Sequence, residues 1–86
     1  MKTLIRQIVS TLEQHPQSIA IEGETFSITN QQLLQKSREF AQGVLKLRIE
    51  NSWIGINTNL GWESYAAILS CWMTGNGYVP INTKFP

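Results

Sequence analysis

The amino-acid sequence predicts an α/β fold, and three features carry that expectation. Trp53-Ile-Gly-Ile56 and Tyr78-Val-Pro-Ile81 read as strands separated by one long helical segment. A connection of that length is a crossover that makes its two strands parallel, so the order strand, helix, strand is a βαβ unit. Ahead of it, two short strand-like runs flank a glycine, and two further segments carry apolar residues at helical spacing.

Taken in order, Leu4, Ile5, Ile8, Val9 and Leu12 mark a first helix of about three turns, ending near Glu13 because Pro16 restricts what precedes it. Ile19-Ala-Ile21 and Thr25-Phe-Ser-Ile28 lie on either side of Glu22-Gly23-Glu24, where Gly23 is expected to supply the positive φ of a tight hairpin turn. Thr29-Asn-Gln-Gln32 fits a capping box and starts a second helix running to about Leu47. Its expected buried stripe is Leu33, Ser37, Phe40, Ala41, Val44 and Leu45, with Gln35, Lys36, Arg38, Glu39, Gln42 and Lys46 in water. A third helix is expected from about Leu60 to Thr74, started by Asn59 or Thr58 and closed by Gly75. It should cover one face of the parallel strands. Pro80 cannot donate to a ladder, which puts its strand at a sheet edge or end. No repeat, low-complexity tract or linker interrupts residues 1–86, which read as one small domain.

Composition narrows the function classes. Seven Lys and Arg against six Asp and Glu leave a net charge of +1, so nothing invites nucleic acid or an anionic membrane. The apolar positions after Lys2 are interrupted by Arg6, Gln7 and Ser10, unlike a secretion signal, and no apolar run approaches the roughly 20 residues of a membrane span. A single cysteine, Cys71, in an apolar helical stretch reads as a buried, inert thiol, and the chain as cytoplasmic.

The motifs offer no active site. Gly75-x-Gly77 joins a helix to the amino end of a strand, whereas ligands bind at strand carboxyl ends. The turn Asn57 to Gly61 does lie at such an end, but it has only one glycine where a dinucleotide fingerprint has three, and capping is the expected role of its polar groups. Trp53, Trp62, Trp72, Tyr65, Tyr78, Phe26, Phe40 and Phe85 are expected in the core, since no basic residues interleave with them as in a nucleic-acid platform. His15 is unique and the glutamates are scattered, so no catalytic, cofactor-binding or metal-binding residue is assigned.

Two segments resemble a known family. Ile28-Thr-Asn-Gln-Gln-Leu33, followed eight residues later by Ala41, resembles the first core motif of adenylation domains, L-T-Y-x-E-L with a distal alanine. The run from Ala67 to Pro86 resembles the second, A-I-L-A-V-L-K-A-G-x-A-Y-V-P-L-D-P-x-Y-P, with Gly75, Tyr78, Val79, Pro80 and Pro86 identical. Asn30, Gln32, Thr74, Gly77, Asn82 and Thr83 depart from the pattern. The chain is thereby similar, from about Leu4 to Pro86, to the start of an adenylate-forming, AMP-binding enzyme, most of all the amino-acid-activating members such as nonribosomal peptide synthetase modules and D-alanine carrier-protein ligases.

The resemblance implies an incomplete N-terminal subdomain. It implies a parent ligase that condenses an amino or carboxylic acid with ATP and Mg2+ to an acyl-adenylate, then loads the phosphopantetheine thiol of a carrier protein. The family's phosphate loop, ribose-binding aspartate and catalytic lysine all lie later than these motifs, so the chain alone is expected to be inactive. Uncovered apolar surface should drive it into a homodimer or higher oligomer, with Phe85 and Pro86 docked. The rival readings are a self-standing, non-catalytic binding or assembly module that retains the fold, and a small nucleotide-binding protein. The last lacks phosphate ligands at the strand ends.

Overall fold

A computed structural model describes residues 2–59 and 61–82. In chain order the elements are α1 (Lys2–Gln14), β1 (Ile19–Glu22), β2 (Ser27–Thr29), α2 (Asn30–Lys46), β3 (Trp53–Asn57), α3 (Glu63–Met73) and β4 (Gly77–Ile81). β1 and β2 form an antiparallel hairpin, and β3 and β4 pair in parallel from Trp53 opposite Gly77 to Asn57 opposite Ile81. The fold is therefore α/β, with the βαβ unit that the sequence predicts. Expectations placed on Leu60, Thr83, Phe85 and Pro86 lie outside the described residues.

The core lies where α1, the hairpin and α3 meet α2. Leu12, Ile28, Leu33, Leu34 and Ala66 are buried together, and Ile8, Val9, Ala20, Ile21, Trp62 and Leu69 pack around them. Ala66 is wholly buried, and a small side chain there lets α2 and α3 approach closely. The chain is nevertheless a slab, 35 × 32 × 21 Å. Its Cα radius of gyration, 13.2 Å, exceeds the about 12 Å of a compact domain of this length.

The junction into α2 shows how local chemistry sets the fold. The Gln32 backbone N–H donates to Thr29 Oγ1 at 3.2 Å, and the Thr29 N–H donates to Gln32 Oε1 at 2.8 Å, completing the capping box. Asn30, where adenylation domains have tyrosine, is buried and donates from Nδ2 to the His15 carbonyl at 2.8 Å. The Asn30 N–H donates to Ser18 O and the Gln31 N–H to Pro16 O, so the α1–β1 link is tied to the first turn of α2.

At its other end, α3 closes in a Schellman motif. The Asn76 N–H donates to Cys71 O at 2.8 Å, the Gly75 N–H donates to Trp72 O at 3.3 Å, and Gly75 takes φ +76°. The predicted glycine cap is in place.

Four expectations need correction. Gly23 does not take positive φ; a Cβ there would overlap the Phe26 ring as it lies, so glycine lets the ring rest against the backbone. The buried face of α2 is Asn30, Leu33, Leu34, Ser37 and Ala41, while Phe40 and Leu45 are exposed. The helix rotates Leu34 inward because α1 and α3 flank it on that side. The aromatic residues are not the core: Trp53, Tyr65, Phe26 and Phe40 are exposed, and Trp62, Trp72 and Tyr78 are half-buried. Finally, α3 begins at Glu63, preceded by Trp62 with no side-chain cap. Gly61 at φ +78° makes the turn instead, its carbonyl accepting the Ser64 N–H at 3.1 Å and the Ser64 hydroxyl at 2.7 Å.

Candidate functional site

In an open parallel sheet the carboxyl ends of the strands are where ligands bind, and here that edge holds Asn57 at the end of β3, Thr58 and Asn59 after it, and Asn82 after β4. The fold brings all four together. The Thr58 N–H donates to Ile81 O at 3.1 Å, extending the ladder by one step beyond Asn57. The Thr58 hydroxyl donates to the same carbonyl at 3.4 Å, and Asn59 Nδ2 donates to Asn82 Oδ1 at 3.0 Å. Asn57 Oδ1 accepts the Asn59 N–H at 2.9 Å, an Asx turn. These hydrogen bonds knit the two strand ends together. The helix-capping role expected of Thr58 or Asn59 is replaced by this cross-strand role, because Gly61 moves the helix start past them.

At the amino ends of the same strands sits a polar residue that reading the sequence as a turn overlooks. Asn76 is buried, and its Oδ1 accepts the Ser52 N–H at 2.9 Å while its Nδ2 donates to Ile49 O at 3.3 Å and Thr74 Oγ1 at 3.0 Å. The amide joins the approach to β3 to the turn before β4. Its only sequence signal is its place between two glycines, which indicates a turn and says nothing of a partner 24 residues away.

Reactive groups are sparse. Cys71 is 1% exposed, and burial pushes its thiol above the ordinary range, a shift that the hydrogen bond with Ser70 only partly opposes. A thiol held protonated in this way is a poor nucleophile. His15 is exposed and contributes its backbone carbonyl to Asn30. Among the described residues no group of three His, Cys, Asp or Glu could hold a metal ion. No helix among them is long and apolar enough to cross a membrane.

The grooves are open and differ in polarity. One of about 550 Å³ runs between α1, the hairpin and α3, lined by Ile8, Leu12, Ile21, Leu33, Tyr65 and Trp72 among others, with no charged side chain in it. Another, of about 530 Å³, lies along α1 and α2 and carries the Glu13–Arg38 ion pair at 3.1 Å. Both partners of that pair are half-exposed, so it contributes little. Neither groove gathers the convergent polar groups of a reaction site.

No protein-family model matches the sequence, and no curated protein matches it. Solved structures do. Over 96% of its length the chain superposes on the nonribosomal peptide synthetase FmoA3 in its α-methyl-L-serine-AMP bound form, with TM-score 0.83 and 22% identity. Over 95% it superposes on holo-PA1221, a nonribosomal peptide synthetase protein containing adenylation and PCP domains, with TM-score 0.76 and 21% identity. Over 93% it superposes on the NpsA N-terminal subdomain of Klebsiella oxytoca, with TM-score 0.73 and 20% identity. The chain spans 9%, 15% and 22% of these three structures. Its fold is thus that of part of an N-terminal subdomain of adenylation domains.

Proposed function

We propose that the chain is the opening segment of an ATP-dependent ligase that activates an amino acid or other carboxylic acid as its adenylate. The observation that carries this reading is the parallel β3–β4 pair with Tyr78-Val-Pro-Ile81 as its second strand. That pairing supports the motif match on grounds independent of the letters, since the motif lies on the strand and Schellman turn where the same motif would serve structure. The fold shared with three adenylating proteins over more than nine-tenths of the chain supports it further.

In this reading the parent uses ATP with Mg2+ and passes the acyl group to a carrier-protein phosphopantetheine, as the adenylation and PCP domains of holo-PA1221 suggest. A kinship to amino-acid activation, including D-alanine ligase-like members, follows from the Tyr-Val-Pro-Ile-Asn run. The residues that would bind those groups belong to later motifs of the family, and the described residues present no cradle for them. The 86-residue chain by itself is therefore inactive, and its uncovered apolar surface makes it self-associate. Pyrophosphate exchange with each amino acid in turn tests the inactivity: the purified chain should give none, and amino-acid-dependent exchange by it would overturn that expectation while leaving the ligase kinship standing.

A further inference from the structure

The turn into β4 holds a chemically reactive pair. Asn76 is the only asparagine of the chain that is followed by glycine. In such a pair the glycine backbone nitrogen can attack the asparagine Cγ, because no side chain shields it. The nitrogen gives up its proton, an N–C bond closes a five-membered succinimide, and the side-chain nitrogen leaves as ammonia. Water then opens the ring at either carbonyl to give aspartate or isoaspartate. No enzyme or cofactor is needed in an unstructured chain. Both members of the pair are nevertheless built into this fold. A Cβ on Gly77 would come within 2.7 Å of Trp53 ring atoms Cε3 and Cζ3, so glycine lets the ring rest on the strand. Asn76 uses its amide to join the approach to β3 to the turn before β4.

The native turn restrains both reacting groups, and Ser52 restrains them together. Its N–H donates to Asn76 Oδ1 at 2.9 Å, and its carbonyl accepts the Gly77 N–H at 2.9 Å. The first bond draws electrons from Cγ and would by itself favour attack. Protection therefore rests on the second, in which the Ser52 carbonyl retains the Gly77 proton and holds that nitrogen at the start of the β3–β4 ladder. Nδ2, the group that must leave, donates to Ile49 O at 3.3 Å and to Thr74 Oγ1 at 3.0 Å. Asn76 is only 5% exposed, which also limits the water needed to open the ring. Ring closure requires Gly77 to leave Ser52 and the amide to leave its partners, so the turn has to open first.

We propose that Asn76-Gly77 is a deamidation site that the native turn keeps closed and unfolding of β4 opens, with products that cannot rebuild the turn. Aspartate sets a carboxylate oxygen against the carbonyls of Ile49 and Thr74, to which Nδ2 donates in the native chain. Isoaspartate routes the main chain through the former side chain, adding one methylene ahead of Gly77 and displacing β4 along β3. Opening that is reversible at first becomes irreversible once the ring has formed. The site stands on the turn alone and is independent of what the parent enzyme activates.

A urea series on the 86-residue chain at neutral pH decides the matter, with circular dichroism reading the folded fraction and peptide mapping by mass spectrometry reading amide-to-acid conversion. Conversion at Asn76 should track the unfolded fraction, running at least about tenfold slower in buffer than in the unfolded chain. Equal rates in buffer and in urea overturn the proposal, as does conversion spread evenly over the other asparagines. In urea, where folding plays no part, Gly77→Ala should slow conversion at least about tenfold, because its methyl group crowds the attacking nitrogen. An unchanged rate would show that the ring does not close through Gly77. Asn76→Asp reproduces one product without the chemistry. Amide exchange at Ser52 and Gly77 should quicken at least about tenfold in that variant, and unchanged exchange with an unchanged urea midpoint would refute the loss of the turn.

Discussion

The helices α2 and α3 lie side by side in the core, yet they treat water differently. α2 turns Leu33, Leu34, Ser37 and Ala41 inward and keeps Gln35, Arg38, Glu39 and Gln42 outside, with Lys36 and Glu39 paired at 3.1 Å along its surface. α3 has one charged residue, Glu63, and its Ala67, Ile68, Leu69, Trp72 and Met73 are only half-buried. A helix with one polar face is built for a surface, whereas a helix apolar around its circumference is built for an interior. The difference teaches that α2 carries a face finished for solvent, whereas α3 is finished for protein on all sides.

Substitutions at the seam should have the largest effect. Leu34 is 5% exposed in the core cluster with Leu12 and Ala66, and Leu34→Ala should cost about 3 kcal/mol, measured as a fall in the urea midpoint. A loss below about 1 kcal/mol would break the comparison, because it would mean that α2 does not anchor α3. Asn76→Ala leaves the half-buried Ser52 N–H without its partner and should cost about 1 kcal/mol, read as faster amide exchange at Ser52 and Gly77. That result would place the stability of the second half in this one amide.

The helix starts sharpen the contrast at smaller scale. Thr29→Ala removes half of the capping box and should cost about 1 kcal/mol. Thr58→Ala, before α3, should stay within about 0.5 kcal/mol because Thr58 caps nothing. Equal losses would remove the distinction between a capped and an uncapped start.

The smallest effect is a pH dependence from Cys71. Its folded thiol is shifted upward by burial, so the native state favours the protonated form. The contribution is fully present below the ordinary thiol value of about 8.5 and is lost as pH rises through the higher folded value. Chemical denaturation of the chain against Cys71→Ser should show the two curves parallel near neutrality and converging or crossing only in alkali. A difference that grows toward acid would contradict the sign.

Much of this was legible in the sequence because it is local. The capping box needs two side chains three positions apart, and the Schellman turn needs a glycine at one position. The parallel pairing of β3 and β4 follows from the length of the helix between them. What was illegible depends on distant partners. Gly23 is dictated by the ring of Phe26, Asn30 by the carbonyl of His15, and Asn76 by the backbone of Ser52 and Ile49. The aromatic residues misled for a related reason: apolar character predicts burial, but burial needs a neighbour, and the open sheet face offers Trp53 none. At the strand carboxyl ends, the polar turn was placed correctly by topology. Several of its groups bond one another across the strand ends, which no spacing rule discloses.

The amide of Asn76 also indexes the sheet. By gripping Ser52 immediately before Trp53, it fixes which residue of β4 stands beside which residue of β3. Because side chains alternate with a period of two, slipping by a single position would turn Val79 inward and Tyr78 outward, exchanging the dry and wet sides of the strand. Deleting one residue from Gly75-Asn-Gly77 would thus do more harm than shortening a loop: it would turn one strand of the pair inside out.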